Sequence, residues 1–152
     1  MRVWRLAREP YSRDREGTGA FLVGGRWTPP GVRVIHAASS IALAGLEYLV
    51  HAATPPADLM LIAIDVPEDA KIDRPSMDAL PEDWASPLPS ERCQAWGRQW
   101  CEARRALAVA VPSVIVPEER NYLINVGHAA MRGVSLKSIR RFAFDLRVLR
   151  NA

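Results

Sequence analysis

The run Leu59–Val66, Leu-Met-Leu-Ile-Ala-Ile-Asp-Val, limits the fold more than any other stretch. It is almost continuously apolar and far shorter than a membrane span, so it reads as a buried strand. Weaker strand signals occupy Arg2–Leu6, Phe21–Val23, Val32–Ala37, Leu107–Val111, Val114–Val116 and Tyr122–Asn125. Arg141–Val148 alternates in part and reads as a strand closing the sheet. Helix signals are fewer. Ser39 or Ser40 can cap a helix that Pro55-Pro56 stops, and Ser90 can cap Glu91–Arg105 by accepting a bond from a free amide of the first turn. Strands outnumber helices without a regular βαβ alternation, which argues for an α+β fold over a doubly wound sheet.

Glu9–Thr18 reads as a charged loop, and Pro67–Pro89, with five prolines, as a lid or an irregular connection. No repeat or linker divides the chain, so residues 1–152 are expected to form one domain. Charged residues make up 24% and apolar ones 49%, a balance that excludes a disordered chain. The net charge of +3 comes almost entirely from arginine, since Lys71 and Lys137 are the only lysines. The clusters Arg104-Arg105 and Arg140-Arg141 are too small to imply nucleic acid. With no signal peptide and no long apolar stretch, a cytoplasmic protein without a membrane partner is expected.

One residue stands against its surroundings. Glu47 lies in Ile41–His51, an apolar helix pattern in which its neighbours three and four residues away are Leu43, Ala44, Val50 and His51. No Lys or Arg lies within reach along that helix. A carboxylate loses hydration at a cost on such a face. Glu47 therefore either escapes to solvent or faces a site whose partner comes from elsewhere. Two segments are candidates. In Gly24-Gly25-Arg26-Trp27, glycines allow close backbone approach and Arg26 could hold a pyrophosphate; a plain turn with a surface arginine fits the same residues. In Pro112-Ser113 the hydroxyl lies among strand signals, either at the site or satisfied at the edge of the core.

Other chemistries are disfavoured. There is no Gly-x-Ser-x-Gly elbow and no glycine-rich phosphate loop of the standard types. His36, His51 and His128 lack metal-ligand spacing, so no metal is expected. Asn121, Asn125 and His128 read as ordering a turn. Cys93 and Cys101 fall on one helix, roughly 12 Å apart at about 1.5 Å per residue, beyond the reach of a disulfide.

Taken in order, several short stretches resemble the RES-domain family. They are Val3-Trp4-Arg5, Gly24-Gly-Arg-Trp-Thr-Pro-Pro-Gly31, the Ser39–His51 helix with Leu46-Glu47, Trp96-Gly-Arg-Gln-Trp100, and Val111-Pro-Ser-Val-Ile-Val-Pro-Glu118 through Asn121–Asn125 to His128. The resemblance implies an α+β fold of ADP-ribosyltransferase-like mixed sheets with flanking helices. It implies a toxin of a toxin–antitoxin pair that consumes NAD as substrate, as a glycohydrolase or phosphorolytic enzyme. A protein mono-ADP-ribosyltransferase, or an inactive module that binds its antitoxin, is the alternative. Glu47 and Arg26 are then expected to be catalytic, with Arg26, His36, Ser113 and Arg5 binding the dinucleotide. The partners expected are an Xre-type antitoxin, a protein acceptor and a second copy of the chain. Three departures stand out: Thr28 where the family usually has Asn, Val126 where it has Pro, and His36 where it carries an active-site Tyr.

Overall fold

A computed structural model describes residues 1–149 apart from Ala53 and Pro55. Its strands are β1 (Arg2–Arg8), β2 (Val34–Ala38), β3 (Leu59–Asp65), β4 (Ile72–Asp73), β5 (Ala108–Pro112), β6 (Arg120–Asn125) and β7 (Ser135–Arg141). They form one seven-stranded sheet in the order β4-β5-β6-β2-β1-β3-β7. The pair β4–β5 is parallel and the others are antiparallel. Helices α1 (Thr18–Val23), α2 (Ile41–His51), α3 (Glu91–Ala103) and α4 (Leu146–Leu149) complete an α+β architecture. No described helix is long and apolar enough to cross a membrane.

The apolar run becomes β3 as expected, and its residues Leu59, Leu61, Ile62, Ala63 and Ile64 are buried between β1 and β7. β1 pairs with β3 along its whole length, and β2 pairs with β6 along its whole length. β1 and β2 themselves meet at the single position Trp4↔Ala38. Ala38 is the last residue of β2, so the rest of β2 runs beside β1 without further pairing and the sheet opens at its centre.

Alternation along β2 sorts the covers of one face. Val34 packs with Leu123, Val109, Val111, Trp27 and Cys93 of α3. Ala38 packs with Leu43 and Ala44 of α2 and with Leu6, Leu59 and Leu61. His36 lies between them on the same face and is exposed. The opposite face carries Ile35, Ala37, Tyr122 and Ile124 under Met131 and Val134.

Several expectations change in the fold. Phe21–Val23 belongs to α1, not to a strand: the Asp14 carboxylate accepts the Thr18 amide at 2.9 Å and opens a helical turn. Val114–Val116 forms no strand, because the Ile115 and Val116 amides both donate to the Ser113 hydroxyl at 3.1 Å and are withdrawn from any ladder. The strand beyond β3 is Ser135–Arg141, not Arg141–Val148; Asp145 accepts the Arg147 amide and starts α4 instead. β4 falls within the proline-containing connection 67–89. Pro55, expected to stop α2, lies outside the described residues; the helix itself ends at His51. Ser40 and Ser90 cap α2 and α3 as expected, accepting from Leu43 and Cys93. Cys93 and Cys101, both on α3, are free thiols.

α3 reaches the 24–28 segment only because position 97 is glycine. A Cβ there would lie 1.7 Å from the Trp27 carbonyl oxygen. Gly97→Ala is expected to destabilise the protein by at least about 2 kcal/mol, since overpacking of this kind forces backbone apart. A fall in the urea midpoint at unchanged slope would register it.

Candidate active site

Ser40 begins the site. Its hydroxyl accepts the Leu43 amide and donates to Glu119 Oε2 at 2.7 Å, and Ser39 donates to the same oxygen at 3.1 Å. The N-terminus of α2 is thus fastened to the turn between β5 and β6. Two turns further on, Glu47 points back at those strands. Its Oε1 accepts the Ser113 hydroxyl at 2.8 Å and the Asn121 side-chain amide. Glu47 therefore does not escape to solvent. Its partners are neutral and come from β6 and from the residue following β5. Among the described residues Oε2 has no hydrogen-bond partner.

Ser113 is fully buried. A hydroxyl has one proton and two lone pairs. The lone pairs take the Ile115 and Val116 amides, so the proton is left for Glu47.

His36 shares this floor. Its cross-strand partner is Leu123, and Asn121 is the diagonal neighbour on the same face, about 7–8 Å away in such a ladder. Gly25 lies directly over the ring: a Cβ on that glycine would sit 2.9 Å from the imidazole Cε1. His36 is exposed as a residue, and Gly25 crowds its ring from one side. Loss of hydration around the ring, followed by the charges of Arg5 and His51, lowers its pKa from 6.5 to about 4. His36 is consequently neutral at physiological pH.

Arg5 falls in step along β1 with Val3 and Ala7, which pack on the face opposite His36, and its charge acts on His36 from beside the open β1–β2 ladder. Its Nη1 is buried and has no partner among the described residues. Desolvation lowers its pKa and the charge of Asp14 opposes that shift. Arg26, in contrast, is engaged. Its Nη1 donates to the carbonyls of Trp84 and Ser86, and its Nη2 to that of Pro87. It makes no hydrogen bond or ion pair with Glu47, and ties the 84–87 segment to the rim beside Gly25.

Of the five residues singled out from sequence, Glu47 and Ser113 are in direct contact, and His36 and Arg5 are close enough for one charge to affect the other. Arg26 reaches them through its neighbour Gly25. Asn121, expected only to order a turn, contacts Glu47 instead, a role its side chain gains only through the β2–β6 register. Asn125 and His128 do order the following turn, accepting the Gly127 and Ala130 amides at 3.0 and 3.1 Å.

Set beside known proteins, the chain matches the RES domain over residues 2–145 and belongs to that family. It is 37% identical to the Prs ADP-ribosylating toxin of Sphingobium sp. (strain YBL2), over 98% of this chain and 97% of that protein. It is 41% identical to a Toxin Res of Photorhabdus laumondii, over 82% and 81% of the two chains. A Toxin Res of Yersinia enterocolitica is 34% identical over 97% of this chain and 99% of its own.

The histidine at position 36 gives a first test. The unfolded imidazole takes its proton near pH 6.5 and the folded one near 4, so between those values the unfolded chain holds more protons. Folding therefore weakens as pH falls through that window. His36→Tyr removes this linkage while keeping a flat ring. Its Tm should gain on the wild type from pH 7 to pH 4, and its activity should equal or exceed that of the wild type at pH 7. A Tyr variant that folds but is inactive would end the equivalence of the two rings.

Proposed function

We propose that this chain is a toxin enzyme that breaks the bond between nicotinamide and ribose in NAD. The state of Glu47 carries the reading: a carboxylate fixed through one oxygen by neutral donors, its other oxygen without a partner among the described residues, near an uncharged ring. As the bond breaks, its electron pair moves to the pyridine nitrogen and nicotinamide departs neutral. Positive charge grows on the ribose, as in glycoside hydrolysis. A fixed carboxylate stabilises that charge without reorganisation, and Oε2 can accept the ribose 2′-hydroxyl. No acid is needed for the leaving group.

The other residues fit the rest of the dinucleotide. A neutral His36 offers a face to the cationic nicotinamide ring without repulsion. Arg5 brings a buried N–H with no partner among the described residues, which suits a pyrophosphate oxygen. Arg26 keeps its Nε and one Nη2 proton for the dinucleotide while its other bonds hold the rim.

The ADP-ribosyl cation then takes an acceptor oxygen or nitrogen, which loses its proton. Water or phosphate would make the chain a glycohydrolase or phosphorolytic enzyme. The relative named as a Prs ADP-ribosylating toxin favours a second reading, transfer to a protein side chain. The toxin names support a dedicated antitoxin, here proposed as Xre-type, that places a carboxylate near Arg5 in the cytoplasm where NAD is found. NAD labelled in its adenine half separates the routes. Free ADP-ribose marks hydrolysis, a phosphorylated ADP-ribose marks phosphorolysis, and labelled protein in a cell extract marks transfer. Intact NAD under all three conditions would overturn the proposal and leave an antitoxin-binding module.

A further inference from the structure

We infer that Asn121 is a positioning residue that decides which oxygen of Glu47 does the work. The chemistry rests on the NAD-cleaving reading above; the contact rests on geometry alone. Rotation about the last side-chain bond of a glutamate is nearly unrestricted, and it exchanges the two oxygens. The Ser113 hydroxyl by itself would hold Oε1 at one point and leave the carboxylate free to pivot. The Asn121 amide, donating to the same oxygen from the neighbouring strand, supplies the second point. Both donors meet on Oε1, so Oε2 is turned away from β5 and β6.

The chemistry of the donor matters as well as its place. An arginine or lysine here would form an ion pair and offset the charge that the ribose cation needs. An amide fixes the carboxylate and leaves it anionic. Asn121 can do this because it faces Ala38 across the β2–β6 ladder, and Ala38 packs beneath α2. The small side chain at position 38 leaves room for the amide to reach the helix.

The test uses two variants of the full chain. Asn121→Ala should lower kcat by about 10–100-fold, the scale of a misplacement near 1 Å, with KM for NAD changed less than about threefold. Asn121→Asp should be equally impaired at pH 8, where two adjacent carboxylates repel. Its activity should rise as pH falls toward 5, because a proton shared between the two restores a donor. The wild type should show no such rise. An unchanged kcat in Asn121→Ala, or losses that follow Tm in both variants with no inverted pH profile, would overturn the inference. Should the wild type consume no NAD, the functional reading fails, and a double-mutant cycle in urea with Glu47→Ala decides the contact. Coupling between the two substitutions supports the locked pair, and its absence overturns it.

Discussion

Glu47→Gln should abolish NAD turnover, by at least about 10²-fold, the lower end of what removing one transition-state stabiliser costs. The substitution isolates charge from shape. The new side chain has the same length and keeps a carbonyl oxygen that can accept the Ser113 hydroxyl and the Asn121 amide. The cap at Ser40 and its bonds to Glu119 are untouched, so α2 stays in place. Only the negative charge proposed to face the ribose is lost. Nicotinamide release measured by chromatography gives the rate, and circular dichroism with a thermal melt gives the fold. Near-wild-type turnover in a folded variant would remove the proposed mechanism, whatever the acceptor.

Arg5→Met is expected to separate function from stability in the opposite sense to an ordinary core mutation. Most large side chains contribute to stability when buried. Arg5 places a guanidinium in a poorly hydrated position with Nη1 unpartnered among the described residues, and burial already works against its charge. Replacing a buried, incompletely paired charge by an apolar chain of similar length is commonly neutral or stabilising. The Tm of Arg5→Met should therefore match or exceed that of the wild type. KM for NAD should rise by about 10–100-fold, the value of one or two charge-assisted hydrogen bonds to phosphate. A variant that melts early yet binds NAD normally would assign Arg5 to the fold and not to the substrate.

The legible parts of this chain were those whose physics is local. Serine caps, the apolar run of β3 and the single carboxylate on α2 each follow from a short window of residues. The anomaly at Glu47 pointed to a distant partner, and Ser113 is one of the two it found. Non-local features were hidden. The opening between β1 and β2 depends on where each finds its other neighbour, which no window contains. Asn121 resembles any polar strand residue until the ladder sets it opposite Ala38. Arg26 gives no hint in sequence that carbonyls some sixty positions away will take its guanidinium. The bounds of β7 are hidden because an edge strand is mostly exposed, and its charges mask the alternation.

The most direct measurement is a crystal structure of Glu47→Gln soaked with NAD. The nicotinamide ribose should lie against the side chain at position 47, with the nicotinamide ring on His36 and the pyrophosphate on Arg5. Dinucleotide bound elsewhere, for instance in the concavity lined by Trp96, Trp100 and Arg74 at the far edge of α3, with the Glu47 cleft empty, would contradict the account.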